Sequence, residues 1–382
     1  MHGDQQLKKK LRVVQIGKYY PPFSGGIENN TEQLAEVLSV DYQSYVVCML
    51  PSAGKGRMRR HNRIPVCELA SLGSVWRQQI VWSLTPILDR IDPDCVHFHA
   101  PNPFMAYYLD RYMKKRPNIK LVITHHADLE RPETIRRIAN RGYYSLLQRA
   151  DWIITYTEQA FLASREVCAY YDKKIIIPHG ISLPAKKPGK TSRNSGEFSG
   201  KSDYITAGFL GRLEKWKGVH ILLQAARDLP DVMLRIAGEG SCKSELERMA
   251  EQMNMADRAD FLGNISGEDK REFLEVLDVL VLPSIHKGET FGQCLVEAQL
   301  AGVAVIASDL PTGIQAIVRH GRTGLVVPPG DANKLREALE TIRQKGYRIK
   351  LAKQGRAHAE QNFSREIVAG EIIKFYKEKV FG

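Results

Sequence analysis

Apolar positions along the chain follow two alternating rhythms. Short runs rich in Val, Ile and Leu read as buried strands of a parallel sheet: Leu11 to Ile16, Tyr45 to Leu50, Val66 to Leu69, Lys120 to Thr124, Trp152 to Thr155 and Lys174 to Ile177. Asp94 to His99 is another, on which His97 and His99 point the same way. Between the runs, Ile27, Leu34, Ala35, Val37 and Leu38 recur at helical spacing, as do Trp76, Ile80, Val81, Leu84 and Leu88. Ser52 to Arg63 reads as an exposed basic loop. A second alternation follows, with strands at Tyr204 to Leu210, Val232 to Ala237, Val276 to Leu282, Ala304 to Ser308 and Leu325 to Val327. Its helices begin at Val219, near Phe291-Gly292 and after Pro328 to Asp331, and a last one covers Ser364 to Tyr376. The pattern predicts an α/β protein built from two similar halves.

Pro184 to Ser202 lacks periodicity and is rich in Gly, Ser, Lys and Pro, so it reads as the linker. A chain of 382 residues suits two cores of about 150 to 200 residues each. The boundaries are residues 1–183, linker 184–202 and residues 203–363. The polar start MHGDQQLKKKLR runs directly into a strand, and no run approaches bilayer-spanning length, so a cytoplasmic protein is expected. Six scattered cysteines without a CxxC pair read as free thiols, with neither metal ligation nor thiol catalysis.

Charge changes the picture in one half only. Residues 1–190 hold 28 Lys and Arg against 17 Asp and Glu, and the remainder holds 27 against 26. Basic residues gather at Lys8 to Arg12, at Lys55 to Arg63, and at Arg111 to Lys120 with Arg136 to Arg149. This bias calls for an anionic partner of the first half: nucleic acid, a membrane surface or a phosphorylated acceptor.

The candidate chemistry centres on Pro283 to Gly302, PSIHKGETFGQCLVEAQLAG. A strand ends, a glycine-containing turn follows, and a helix starts whose free N–H groups and dipole suit a phosphate. Gly288 and Gly292 permit close approach of a ligand to the backbone. Glu289 and Glu297, with seven residues between them, can accept hydrogen bonds from sugar hydroxyls. Gly25-Gly26 also lie between a strand and a helix, without the GxGxxG dinucleotide fingerprint. Glu28 follows in the first helical turn.

The ordered set GGIE, THH, GRLEKWKG and ETFGQCLVE resembles the family 4 retaining glycosyltransferases of the GT-B fold, also called group 1, over nearly the whole chain. The resemblance implies two Rossmann-like domains facing an interdomain cleft, with helix 364–382 returning to the first. It implies that His126 lies near the donor sugar, that Arg212 and Lys217 grip the diphosphate, and that these three with Glu289 are catalytic. Donor binding would further involve Gly25, Gly26, Gly240, Thr290, Phe291, Gly292 and Glu297, with Glu28 on the acceptor side. Pro178-His179-Gly180 stands where the family has Pro-Asn-Gly, and Thr312-Gly313-Ile314-Gln315-Ala316 where many relatives have Gly-Gly-x-x-Glu. No cofactor and no metal are expected, since no Asp-x-Asp occurs among the motifs to carry an ion.

The function expected is transfer of a sugar from a nucleotide-diphospho-sugar to a lipid-linked or polysaccharide acceptor in cell-surface glycan synthesis. GDP-mannose is favoured as donor, then a UDP-sugar. The basic first half suggests peripheral contact with the inner face of the plasma membrane. A nucleotide-sugar epimerase of GT-B-like fold is the alternative. Nucleic acid is not expected as a partner, because no recognition motif accompanies the basic groups.

Overall fold

A computed structural model describes residues 10–382 except 24, 51, 76–77, 82, 130 and 185–203. Apart from Pro184, the segment read as a linker lies outside the described residues, as do Lys8, Lys9 and Trp76. The chain forms two compact units, Met1–Gly180 with Val368–Gly382, and Ile181–Ile367. No helix among the described residues is long and apolar enough to cross a membrane.

The first unit is built on strands β1 (Arg12–Ile16), β2 (Gln43–Met49), β3 (Arg57–His61), β4 (Ile64–Leu69), β5 (Ser71–Val75), β6 (Gln78–Val81), β7 (Cys95–Ala100), β8 (Lys120–His125), β9 (Trp152–Thr155) and β10 (Lys174–Ile176). Eight of them form one sheet in the order β10-β9-β8-β7-β1-β2-β4-β3, parallel except for β3. Alternate residues sort to opposite faces. Val14, Ile16, Val96, Phe98, Leu121 and Ile123 enter one core. Val13, Cys95 and Val122 enter another, which is covered by Val368, Ile372, Phe375 and Tyr376 of the last helix.

Two expectations fail here for identifiable reasons. The basic loop at Ser52 to Arg63 contains an edge strand, because Arg57 and Arg59 lie opposite Glu68 and Val66 of β4 and both guanidinium groups donate to the buried Glu68 carboxylate. Burial opposes its ionisation, yet those two bonds hold the Glu68 carboxyl below its usual range. The helix expected from Trp76 to Leu88 is confined to Thr85–Ile91. Pro86 sits in its first turn, where a missing N–H costs nothing, and before it Ser71–Val75 and Gln78–Val81 pair antiparallel as β5 and β6.

The second unit holds β11 (Ile205–Leu210), β12 (Val232–Ala237), β13 (Ala259–Gly263), β14 (Val279–Leu282), β15 (Ala304–Ser308) and β16 (Leu325–Val327). They pair in parallel in the order β13-β12-β11-β14-β15-β16. The strand expected from Val276 starts later, since Val276 caps the helix Gly267–Glu275 and the Asp278 carboxylate accepts from the Thr206 N–H at 2.9 Å. Chain order reverses between β11 and β14, and in the first unit between β1 and β7. Open parallel sheets bind ligands at the carboxyl ends of such strands.

At that end of the first unit the core becomes polar. Gln15 Oε1 can only accept, so His99 Nε2 donates to it at 3.0 Å. His99 Nδ1 then accepts from His126 Nε2 at 3.0 Å, and His126 Nδ1 accepts from the Tyr156 hydroxyl. His97 lies parallel to His99 with ring centres 4.8 Å apart, and contacts the Tyr376 hydroxyl at 2.7 Å and Thr124 Oγ1 at 2.6 Å. His179 stacks on Tyr156 at 3.7 Å. Burial lowers His99 and His179 to about 3, and His97 and His126 well below the ordinary histidine value.

These rings are neutral when folded and titrate near pH 6.5 when unfolded. Their contribution is therefore present above about pH 6.5 and is lost as pH falls toward 3, where unfolding takes up protons. Denaturant titrations should show unfolding free energy falling by at least about 3 kcal/mol between about pH 6.5 and 5. Constant stability across that interval would contradict the neutral histidine layer.

Candidate active site

The loops leaving β11 and β14, at the chain reversal of the second unit, carry the site. After β11 the chain runs Gly211-Arg212-Leu213 to a short turn at Lys215–Lys217, closed by Gly218 with φ of 73°. A Cβ on Gly218 would lie 2.0 Å from the Pro283 carbonyl oxygen, so only glycine admits this contact. Ile285 N–H donates to the Trp216 carbonyl at 2.8 Å, fastening the two loops together.

That fastening aligns two side chains 72 residues apart in sequence. Lys217 Nζ lies 2.5 Å from Glu289 Oε2, with side-chain exposures of 12% and 9%. The fully buried Ser284 hydroxyl donates to the same oxygen at 3.0 Å. Lys217 Nζ also sits 4.7 Å from the centre of the Trp216 ring, and the exposed Arg212 guanidinium 5.8 Å from it. Among the described residues Arg212 makes no ion pair. Lys217 thus compensates the buried Glu289 carboxylate.

Gly292, with φ of 84°, caps the helix Gln293–Leu300 without a side-chain cap bond, so no side chain of the N-cap residue takes up its first N–H groups. Thr290 is held through its carbonyl by the Gly313 N–H at 2.8 Å, and Phe291 is buried, edge-on to Phe363 at 5.8 Å. The Thr312-Gly313 turn thus supports the site through its backbone. Gly240 abuts the Arg212-Leu213 loop: a Cβ there would lie 2.4 Å from the Leu213 carbonyl oxygen. Glu297 is paired with Lys270 at 2.6 Å rather than with Lys217 or Arg212.

In the first unit, Gly25 precedes the helix Gly26–Leu38, which also lacks a side-chain cap. The Glu28 carboxylate folds back over Gly25, where a Cβ would come within 2.4 Å of it. Burial raises the Glu28 carboxyl above its usual range, opposed by a backbone hydrogen bond and by Lys18. His126 belongs to the neutral layer, with both ring nitrogens bonded. The structure brings Lys217, Glu289, Arg212 and Gly292 into one region of the second unit, and His126 and Glu28 into separate surroundings in the first. Ser284, Gln15 and Tyr156 were missed from sequence, whereas His99 was read only as a strand residue on the same face as His97. Of the missed three, Ser284 carried a signal, as a hydroxyl at the end of an apolar strand.

His125, adjacent to His126, joins another cluster. Its ring contacts the Tyr143 hydroxyl at 2.8 Å, Asp128 Oδ1 at 3.1 Å and Ser164 Oγ at 3.1 Å. Nitrogen and carboxylate atoms of His125, Asp128 and Glu166 lie within 4.8 Å of one another.

Residues 24–183 match the family model described as Glycosyltransferase Family 4, and residues 192–361 match that of Glycosyl transferases group 1. O-antigen chain mannosyltransferase C of Escherichia coli is 26% identical over 340 residues, covering 87% of this chain and 88% of its own. Phosphatidyl-myo-inositol mannosyltransferase of Mycobacterium leprae is 27% identical, covering 96% of each chain. The crystal structure of Anabaena HepE in complex with UDP aligns with a TM-score of 0.77 at 20% identity, over 96% of this chain and 100% of that one. The epimerase alternative finds no support in these likenesses. With both halves matched by these models and nearly the whole chain aligning with that structure, this chain belongs to the group 1, family 4 glycosyltransferases of the GT-B fold.

Proposed function

We propose that the protein is a retaining, metal-independent transferase that moves a sugar from a nucleotide-diphospho-sugar to a lipid-linked or polysaccharide acceptor of the cell surface. The observation that carries this reading is the Lys217–Glu289 pair at the carboxyl ends of β11 and β14, beside the helix opened by Gly292. As the bond between the sugar C1 and the phosphate oxygen breaks, its electron pair goes to the leaving nucleoside diphosphate. Lys217 is a fixed cation suited to that developing charge, and the exposed Arg212 supplies a second one. The observed partners of Glu289 meet at Oε2, so Oε1 is the atom offered to donor hydroxyls. The acceptor oxygen forms the new bond on the face the phosphate leaves, and its proton passes to a leaving phosphate oxygen. His126, neutral and bonded at both nitrogens, serves in this scheme by shape and hydrogen bonding rather than as an acid.

Two relatives are named as mannosyltransferases and one neighbour holds UDP, which supports GDP-mannose first and a UDP-sugar second as donors to test. The acceptor reading rests on the same relatives and on the basic first half of the chain. Peripheral, salt-sensitive contact with an anionic inner membrane face follows from that charge, each cation near the surface adding up to about 1 kcal/mol.

Glu289→Gln and Lys217→Ala should each lower transfer by at least about a hundredfold per folded molecule, and each should also lower the thermal midpoint, because the remaining buried charge loses its partner. The parent should keep most of its activity in EDTA, and NMR of the product should show the donor's anomeric configuration. Near-normal turnover in either variant removes that residue from the mechanism, while inversion or a strict divalent-ion requirement overturns the chemical class.

Vesicle sedimentation tests the membrane contact. Lys55, Arg60 and Arg63 are exposed, whereas Arg57 and Arg59 serve Glu68, so the former are the ones to reverse. Binding should rise with anionic lipid, fall with salt and weaken in the Lys55→Glu, Arg60→Glu, Arg63→Glu protein. Equal binding to neutral vesicles would exclude an electrostatic contact.

A further inference from the structure

One basic group of the first unit plays no part in this mechanism. The helices Glu133–Ala139 and Arg141–Arg149 border an open hollow of about 550 Å³, lined by Glu133, Arg136, Arg137, Arg141, Tyr144 and Arg165. Four guanidinium groups face one carboxylate around it. Arg137 is paired at the surface with Glu133 at 2.6 Å. Arg141 and Arg165 are exposed and make no ion pair among the described residues.

Arg136 differs from these. It is only 8% exposed, and its Nε and Nη1 atoms are buried without a hydrogen-bond partner. Among the described residues its ion-pair partner is Glu166, 4.0 Å from Nη1, and the Glu166 Oε1 already accepts from Asn140 Nδ2 at 2.6 Å and from the Leu129 N–H at 3.2 Å. Burial raises the Glu166 carboxyl above its usual range, so the compensation behind Arg136 is weakened further. A buried guanidinium with unmet donors is costly unless an acceptor completes it. The planar N–H fork matches the oxygens of a phosphate.

We propose that this hollow binds the phosphate or diphosphate group of the acceptor, with Arg136 at the floor and Arg141 and Arg165 at the rim. The inference rests on the reading of the protein as a glycosyltransferase with a lipid-linked acceptor, and it makes that acceptor a phosphorylated one. The hollow is formed by residues of the first unit, whereas the cations proposed for the donor belong to the second.

The test is calorimetric titration of the full chain with inorganic pyrophosphate. Lys217→Ala serves as the background, so that the donor cations contribute little. Adding Arg141→Gln and Arg165→Gln should weaken binding at least about tenfold, with the thermal midpoint unchanged because both side chains are exposed. Arg136→Lys, which keeps the charge and loses the fork, should weaken it as well. Unchanged affinity in both proteins would overturn the site. Geranyl diphosphate and phosphatidylglycerol vesicles separate the sources of phosphate. Weaker binding of geranyl diphosphate by the double variant supports an acceptor subsite. Weakening confined to vesicles assigns the hollow to a lipid headgroup and overturns the acceptor assignment. None of these readouts uses sugar transfer, so failure of the proposed reaction is distinguished by the transfer assay alone.

Discussion

A buried ion pair between Lys217 and Glu289 is the constraint on which the second unit depends. The two charges lie on loops after β11 and β14, and each would be costly alone in so enclosed a place. Bringing them together demands backbone contacts that side chains would block. Gly218 lies against Pro283, and Gly238, whose Cβ would fall 1.8 Å from the Gly211 carbonyl oxygen, lies against the β11 loop. Ser284 and Trp216 complete the surroundings by hydrogen bond and ring face. The result is a fixed cation beside an open helix start, with its counter-charge held on one carboxylate oxygen. Such a charge does not have to reorganise when a phosphate leaves.

The first unit solves a different electrostatic problem. Its sheet ends in imidazoles kept neutral by burial and linked in one direction, from Tyr156 through His126 and His99 to Gln15. This layer fills the carboxyl end of the sheet with polar groups without adding charge. Basic residues of this half lie elsewhere, among them those at the β3 edge and around the arginine hollow. At β3 they also stabilise the fold, because Arg57 and Arg59 meet Glu68.

Parallel strands were legible in the sequence because burial on both faces leaves continuous apolar runs, as at β1, β8, β12 and β15. The strand β3 was not, because its alternation is written in arginines whose partner, Glu68, is on the next strand. The spacing of Ile80, Leu84 and Leu88 imitated a helix, while Pro86 set where helix begins. At the site, the glycine turn and helix start near Phe291-Gly292 could be read locally. The pairing of Lys217 with Glu289 could not, since it arises from strand order rather than spacing. Nor could the separation of His125 from His126, whose side chains enter different clusters although they are neighbours in sequence.

If Lys217 is the cation that holds a leaving diphosphate, binding should depend on the second phosphate. Calorimetry with GDP, GMP, UDP and UMP in EDTA measures that dependence directly. One nucleoside diphosphate should bind at least about tenfold more tightly than its monophosphate, a difference of about 1.4 kcal/mol, and Lys217→Ala should remove most of that preference. Equal affinity for diphosphate and monophosphate, or a preference that survives in the variant, would contradict the assignment of Lys217 to the donor diphosphate.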